Sequence, residues 1–198
     1  MKKLLGGKIS TICLILGVAL LITTGVALTV NLLRGEQAQK NAAQILEKTL
    51  TMMPQAMDRV PEERGNNAMA SREIDGVNIA GVLEIPHFGT TLPLAAAWDV
   101  GMVTSMPCRF GGSIYDSSLI IGAVDGEGQF SFASSMEVGD LIVLTDMEGG
   151  RYTYHVETIQ HSKHATRDKL QAGDYALTIF VKDSQNSQYL LLRCQPGK

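Results

Sequence analysis

The sequence predicts a mainly β domain, a barrel or a sandwich, carried behind a single N-terminal transmembrane helix. Three observations lead there. An uncharged run from Ile9 to Leu33 follows Lys2, Lys3 and Lys8. From Asp75 onward the chain changes to short apolar or alternating runs, punctuated by turn residues, with few helical stretches. Between two of those runs, Asp146-Met147-Glu148-Gly149-Gly150 reads as a hairpin loop with glycines where positive φ is needed.

The run Ile9–Leu33, at about 1.5 Å of rise per residue, is long enough to cross a hydrocarbon core of roughly 30 Å. A signal peptide has a shorter apolar region, and Thr23-Thr24-Gly25-Val26-Ala27 is a weak cleavage site, so an uncleaved anchor is the preferred reading. Three lysines precede the run and only Arg34 directly follows it. The positive-inside rule then puts residues 1–8 in the cytoplasm as a basic tail and 9–33 across the cell membrane, with the rest outside as the extracellular part of a single-pass protein.

Residues 34–53 form a juxtamembrane helix. Ala42, Ile45, Leu46, Thr49, Leu50 and Met53 recur at helical spacing, Glu36 and Lys40 make an i,i+4 pair in the favourable order, and Pro54 ends the pattern. The stripe is weak and suits a solvated stalk, with packing on the domain or self-association as alternatives. Residues 54–74 hold prolines, asparagines, a glycine and mixed charge without a period, and read as a flexible linker.

Residues 75–198 supply one core. The strands expected are Ile79–Ile85, Leu92–Ala96, Leu119–Val124, Leu141–Thr145, Tyr152–Ile159, Tyr175–Lys182 and Ser187–Cys194. Leu119–Val124 is continuously apolar, as for a strand covered on both faces. His164–Gln171 allows one helical turn or two. A formal charge of -3, with no basic block and no acidic tail, speaks against a nucleic-acid partner.

Six pieces of this region resemble the sortases, the cysteine transpeptidases that attach proteins to bacterial cell walls. They are DGVNIAGVLEIPHFGTTLPL (Asp75 to Leu94), Trp98 with PCRFGGS (Pro107 to Ser113), LIIGAVDGEGQF (Leu119 to Phe130), MEVGDLIVLTDMEGGRYTYHV (Met136 to Val156), LTIFVKDSQNSQYLLLRC (Leu177 to Cys194) and, within it, the terminal Arg193-Cys194. They come in the family's order and cover nearly all of Asp75–Cys194, closest to the class B and related subgroup. The resemblance implies an eight-stranded β-barrel. It also implies a His, a Cys and an Arg at the positions held here by Val124, Lys182 and Tyr189.

In that family the Cys thiolate attacks the carbonyl of a sorting-signal peptide, the His protonates the departing amine and the Arg supports the oxyanion. Val124 cannot carry a proton, Tyr189 brings no charge, and a protonated Lys182 is no nucleophile. The resemblance therefore implies a catalytically inactive relative that binds a sorting-signal-like peptide or another cell-surface protein. Two alternatives stand beside it: a rewired cell-wall transpeptidase or hydrolase working through Lys182 and a Ser or Tyr, and a structural surface module with a closed groove. If the family's strand pairing holds, the three positions meet at one end of the barrel. Lys182 is then expected to be partly exposed and paired with Tyr189, Asp125 or Asp183.

The remaining candidates are weaker. Cys13 lies in the anchor run; the exported Cys108 and Cys194 either pair as a disulfide or stay as separately buried thiols. His87 sits in a turn, and His155 shares a solvated strand face with Arg151, Thr153 and Glu157. His161 and His164 fall in a polar loop without companion metal ligands. Ser184 and Ser187 near Lys182 resemble a Ser–Lys pair with no reason to share a cleft. VDGEGQF lacks the Gly-Lys-Ser/Thr of a phosphate loop, and Asp125, Glu127 and Asp183 lack calcium-loop spacing. No cofactor or metal is called for.

Overall fold

The computed structural model describes residues 3–59, 68–126, 129–183 and 186–197, with the side chains of 3–15 and 25–35 not among them. The side chains of Lys2, Lys3, Lys8, Cys13, Arg34, Glu127 and Ser184 thus lie outside the described residues, as does the middle of the expected linker. The chain forms two compact units, Met1–Ala38 and Gln39–Lys198. The first is helical, within helix α1 (Lys3–Met52). Among the described residues no helix is long and apolar enough to cross a membrane, and Ile9–Leu33 falls largely on residues whose side chains are not described.

The second unit is a closed barrel. Its strands are β3 (Val77–Ile85), β4 (Thr90–Ala95), β5 (Cys108–Gly111), β6 (Leu119–Val124), β7 (Leu141–Asp146), β8 (Gly150–Ser162), β9 (Leu177–Lys182) and β10 (Tyr189–Pro196). They join in the order β3-β4-β5-β6-β9-β10-β8, and β7 bonds both β8 and β3 to close the ring at eight strands. Closure removes the unpaired edges that an open sheet would present. The β6–β9 and β4–β5 pairs are parallel, and β4 meets β5 only at Ala95 and Cys108.

Alternation decides what fills the barrel. Leu119, Ile121 and Ala123 of β6 join Leu177, Ile179, Val181, Leu192 and Tyr154 in the interior, while Ile120 faces a separate outer cluster with Phe180, Leu191 and Leu170. The unbroken apolar run of β6 is explained by cover on both faces. In the β7–β8 hairpin, Gly149 takes φ +79 and the Asp146 carboxylate accepts the Glu148 and Gly150 N–H groups at 2.9 and 2.7 Å. The last strand begins at Tyr189, not Ser187, because Ser187 takes φ +52. Helix α2 (Arg167–Gln171) is a single short turn-and-a-half.

Two expectations need correction. From Gln39 onward α1 is not a solvated stalk: Ala42, Ile45 and Thr49 are buried with Ile74, Ile79, Val103, Met106 and Cys108. Burying one such Ile contributes about 1.5–3 kcal/mol, enough to hold the last turns on the barrel. Lys48 adds an ion pair to Asp75 at 2.6 Å. The stretch read as linker is structured at both ends, where β1 (Met57–Asp58) pairs with β8 and β2 (Arg72–Ile74) pairs with β3.

Candidate functional site

Three strands bring together the positions that the family resemblance singles out. β6 and β9 run parallel with Val124 opposite Lys182, and β9 and β10 run antiparallel with Lys182 opposite Tyr189. Directly opposed residues share a face of a sheet, so the three form one cross-strand row on the outer face. A slip of one residue in either pairing would have sent a member to the barrel interior. Val124 is half-buried, Lys182 exposed and Tyr189 half-buried.

The next row on the same face is Gly122, Phe180 and Leu191. It carries an aromatic cluster. Trp98 and Phe110 meet edge-to-face at 5.4 Å, Phe110 and Phe180 do the same at 5.4 Å, and Trp98 tilts against Phe180 at 5.6 Å. Phe180 leads on to Tyr189 at 6.3 Å. Pairs of this geometry add about 0.5–1.5 kcal/mol beyond burial. Gly122 is the seat: a Cβ there would lie 2.3 Å from Trp98 Cζ3 and 2.5 Å from Phe180 Cζ. Ala165 and Leu170, from the β8–β9 connection, border the cluster, and the Arg167 guanidinium stands 5.8 Å over the Phe110 ring.

The surroundings of Lys182 differ from expectation. No described residue gives its ammonium a hydrogen bond, ion pair or ring contact, and Tyr189, though next to it in register, is not its partner. An exposed ammonium keeps its water and needs no compensation, and an exposed ion pair is worth only about 0–1 kcal/mol. Asp125 and Asp183 instead continue past the row, where Asp183 binds Asn186 at 2.9 and 3.0 Å.

Nor do the thiols form a disulfide. Cys108 and Cys194 are both free and buried, Cys108 in the cluster under α1 and Cys194 in the barrel interior, on opposite faces of the sheet. Burial pushes the Cys108 thiol up to about 11 and the Cys194 thiol up to about 12. Neither supplies a thiolate near neutral pH, and neither stands in the row.

Other polar candidates fall into place around the barrel. His161 belongs to β8 and not to a loop, because β8 continues as far as its partner β10 does. It lines a cavity of about 50 Å³ at the barrel rim with Asp125, Asp183, Gln188, Ser134 and Tyr189. Among the described residues no group of three His, Cys, Asp or Glu side chains is placed to hold a metal. His155 alternates with buried Tyr154 and Val156, as expected for the outer face of β8. His87 pairs with Asp140 at 2.7 Å and stacks on Phe88. Arg193 is 3% exposed and donates through its two terminal nitrogens to Leu170 O, Thr178 Oγ1 and Lys169 O, which makes it a fastener of α2. Sequence reasoning missed Trp98, Phe110 and Phe180 as a unit; the available signal was Gly122, a lone glycine within a strand, which marks a close approach.

No protein-family model and no curated protein matches the sequence. Solved structures do. Sortase C1 of the GBS pilus island 1 matches with a TM-score of 0.51 and 19% identity over 60% of this chain, which spans 64% of that protein, just under two thirds of it. Sortase A from Corynebacterium diphtheriae matches with a TM-score of 0.54 at 16% identity, over 83% of this chain and 84% of its own. Clostridium perfringens sortase C, solved with the C-terminal cell wall sorting motif, gives 0.54 at 16% identity, over 83% and 90%. The fold of the β unit is that of the sortases.

Proposed function

We propose that this chain is a membrane-anchored sortase-fold protein without transpeptidase activity, which binds a peptide or a partner protein at the cell surface. One observation carries the reading. The row formed by β6, β9 and β10 holds Val124, Lys182 and Tyr189, and the two thiols of the β unit are buried elsewhere. Acyl transfer needs a soft nucleophile, a proton carrier and an oxyanion donor within reach of one carbonyl. Val124 transfers no proton, and among the described residues no group hydrogen-bonds or ion-pairs with the exposed Lys182 amine. What remains is a shaped surface: an aromatic floor bordered by the β8–β9 connection and ending in a positive charge.

An extended peptide suits that surface, and the C. perfringens sortase C structure with a sorting motif supports the same class of ligand. The uncharged run Ile9–Leu33 behind Lys2, Lys3 and Lys8 supports an anchor with the β unit outside the cell. The test is fluorescence anisotropy of a labelled sorting-signal peptide titrated with the detergent-solubilised full chain. Saturable binding that weakens severalfold in Tyr189→Ala and Lys182→Glu is expected. Binding that is absent, or indifferent to both substitutions, removes the row from any binding role.

A further inference from the structure

We infer that Trp98 is a removable plug, seated on Gly122, that covers the outer-face trough between β5, β6 and β9. The inference deepens the proposed reading of the same site and rests on it for the identity of the ligand. The seat itself is a property of the fold. Gly122 lies two residues before Val124 on the same face of β6, and no side chain larger than hydrogen fits beneath the indole. The ring closes over Phe180 and Phe110, yet Trp98 remains 37% exposed, so its contacts are to one side only.

The strap that carries it is lightly held. On one side Ala96 N–H donates to Asn78 O at 2.8 Å, the last bond before the ring. On the other, Asp99 accepts the Met102 N–H on its carboxylate at 2.7 Å and the Val103 N–H on its carbonyl at 3.0 Å, which fixes the start of the next turn. Ala97 and Trp98 are exposed between these points, and so are Asp99 and Val100 where the next turn begins. Both flanks are pinned and the centre is attached through one aromatic ring, a geometry in which the ring can leave while the flanks stay. Its departure uncovers Gly122, Phe110 and Phe180 directly beside the Val124–Lys182–Tyr189 row. The trough thus has a covered and an uncovered state, and a ligand that fills it must displace the indole.

Trp98 is the only tryptophan in the chain, so its fluorescence reports this contact without interference. The full chain is compared with Gly122→Ala and Trp98→Ala in the same detergent. In Gly122→Ala, with circular dichroism unchanged, the emission should move to the red, and acrylamide quenching should rise roughly twofold as the ring leaves its aromatic partners. In Trp98→Ala, hydroxyl-radical labelling of Phe180 and Phe110 should rise severalfold; this variant changes an exposed residue and keeps the test open if Gly122→Ala fails to fold. Unmoved labelling in Trp98→Ala, or an indole in folded Gly122→Ala that is quenched as in the wild type, overturns the plug. The sorting-signal peptide is titrated into all three proteins. Tighter binding to both variants supports the plug as a gate, and equal binding to all three overturns it. If no variant binds while labelling rises, the plug stands and the peptide-binding reading fails.

Discussion

Replacing Arg193 by Met should loosen α2 from the barrel and cost about 2–4 kcal/mol of stability, a figure that follows from its contacts. Arg193 donates to Leu170 O at 2.7 Å, to Thr178 Oγ1 at 3.0 Å and to Lys169 O at 2.5 Å, and its guanidinium stands 5.3 Å over the Tyr175 ring. Hydrogen bonds from a charged group contribute about 1.5–3 kcal/mol each, so three amount to roughly 4.5–9 kcal/mol. Holding the guanidinium out of water costs several kcal/mol in return, and burial accordingly pulls the Arg193 pKa below its usual value. The difference leaves the net loss stated. A helix of five residues cannot persist alone, so the loss should concentrate at Arg167–Gln171. Urea unfolding of the full chain followed by Trp98 fluorescence gives the total, and amide exchange gives the location. Arg193→Lys should fall between Met and wild type, since an ammonium keeps the charge but not the fork. A Met variant within about 0.5 kcal/mol of wild type, with α2 amides equally protected, would refute the fastening role.

Further outcomes follow from the same geometry. Asp140→Asn should flatten the acid limb of the stability curve below about pH 4: burial raises the Asp140 carboxyl, the Glu137 N–H and His87 outweigh it, and a carboxyl held low stabilises above its unfolded pKa and loses that as pH falls. Lys182→Ala should leave the unfolding midpoint unmoved, because no described residue depends on that ammonium. Asp146→Ala should cost about 2–4 kcal/mol in urea unfolding, since it removes the acceptor of the buried Gly150 N–H and takes one bond each from the Glu148 N–H and the Tyr115 hydroxyl. Maleimide should label Cys108 and Cys194 only after denaturant is added, as both thiols are buried and raised to about 11 and 12.

Alternation and turn chemistry made most strands legible. Leu119–Val124 occurs with the boundaries its apolar run suggests, and the 146–150 loop turns where its glycines and Asp146 require. Three strands were not legible. Cys108–Gly111 is embedded in Pro, Gly and Ser and joined to β4 at one residue pair, while Met57–Asp58 and Arg72–Ile74 are too short to show a period. The fate of the 42–49 stripe was hidden because a weak amphipathic helix declares its partner only when the surface beneath it exists. At the site, the row of Val124, Lys182 and Tyr189 came from strand register, which a continuous motif carries. The aromatic cover did not, because Trp98, Phe110 and Phe180 come from three distant segments that only the closed barrel joins.

The most direct test of the central claim is to incubate the purified full chain with a sorting-signal peptide and an amine acceptor, and to follow both protein and peptide by mass spectrometry. No acyl adduct on the protein and no cleaved or transferred peptide is expected, in the wild type and in the double variant Cys108→Ala/Cys194→Ala alike. Turnover that survives the double variant would contradict the claim and mark a rewired catalyst, and turnover abolished by Cys108→Ala alone would place the nucleophile outside the Val124–Lys182–Tyr189 row.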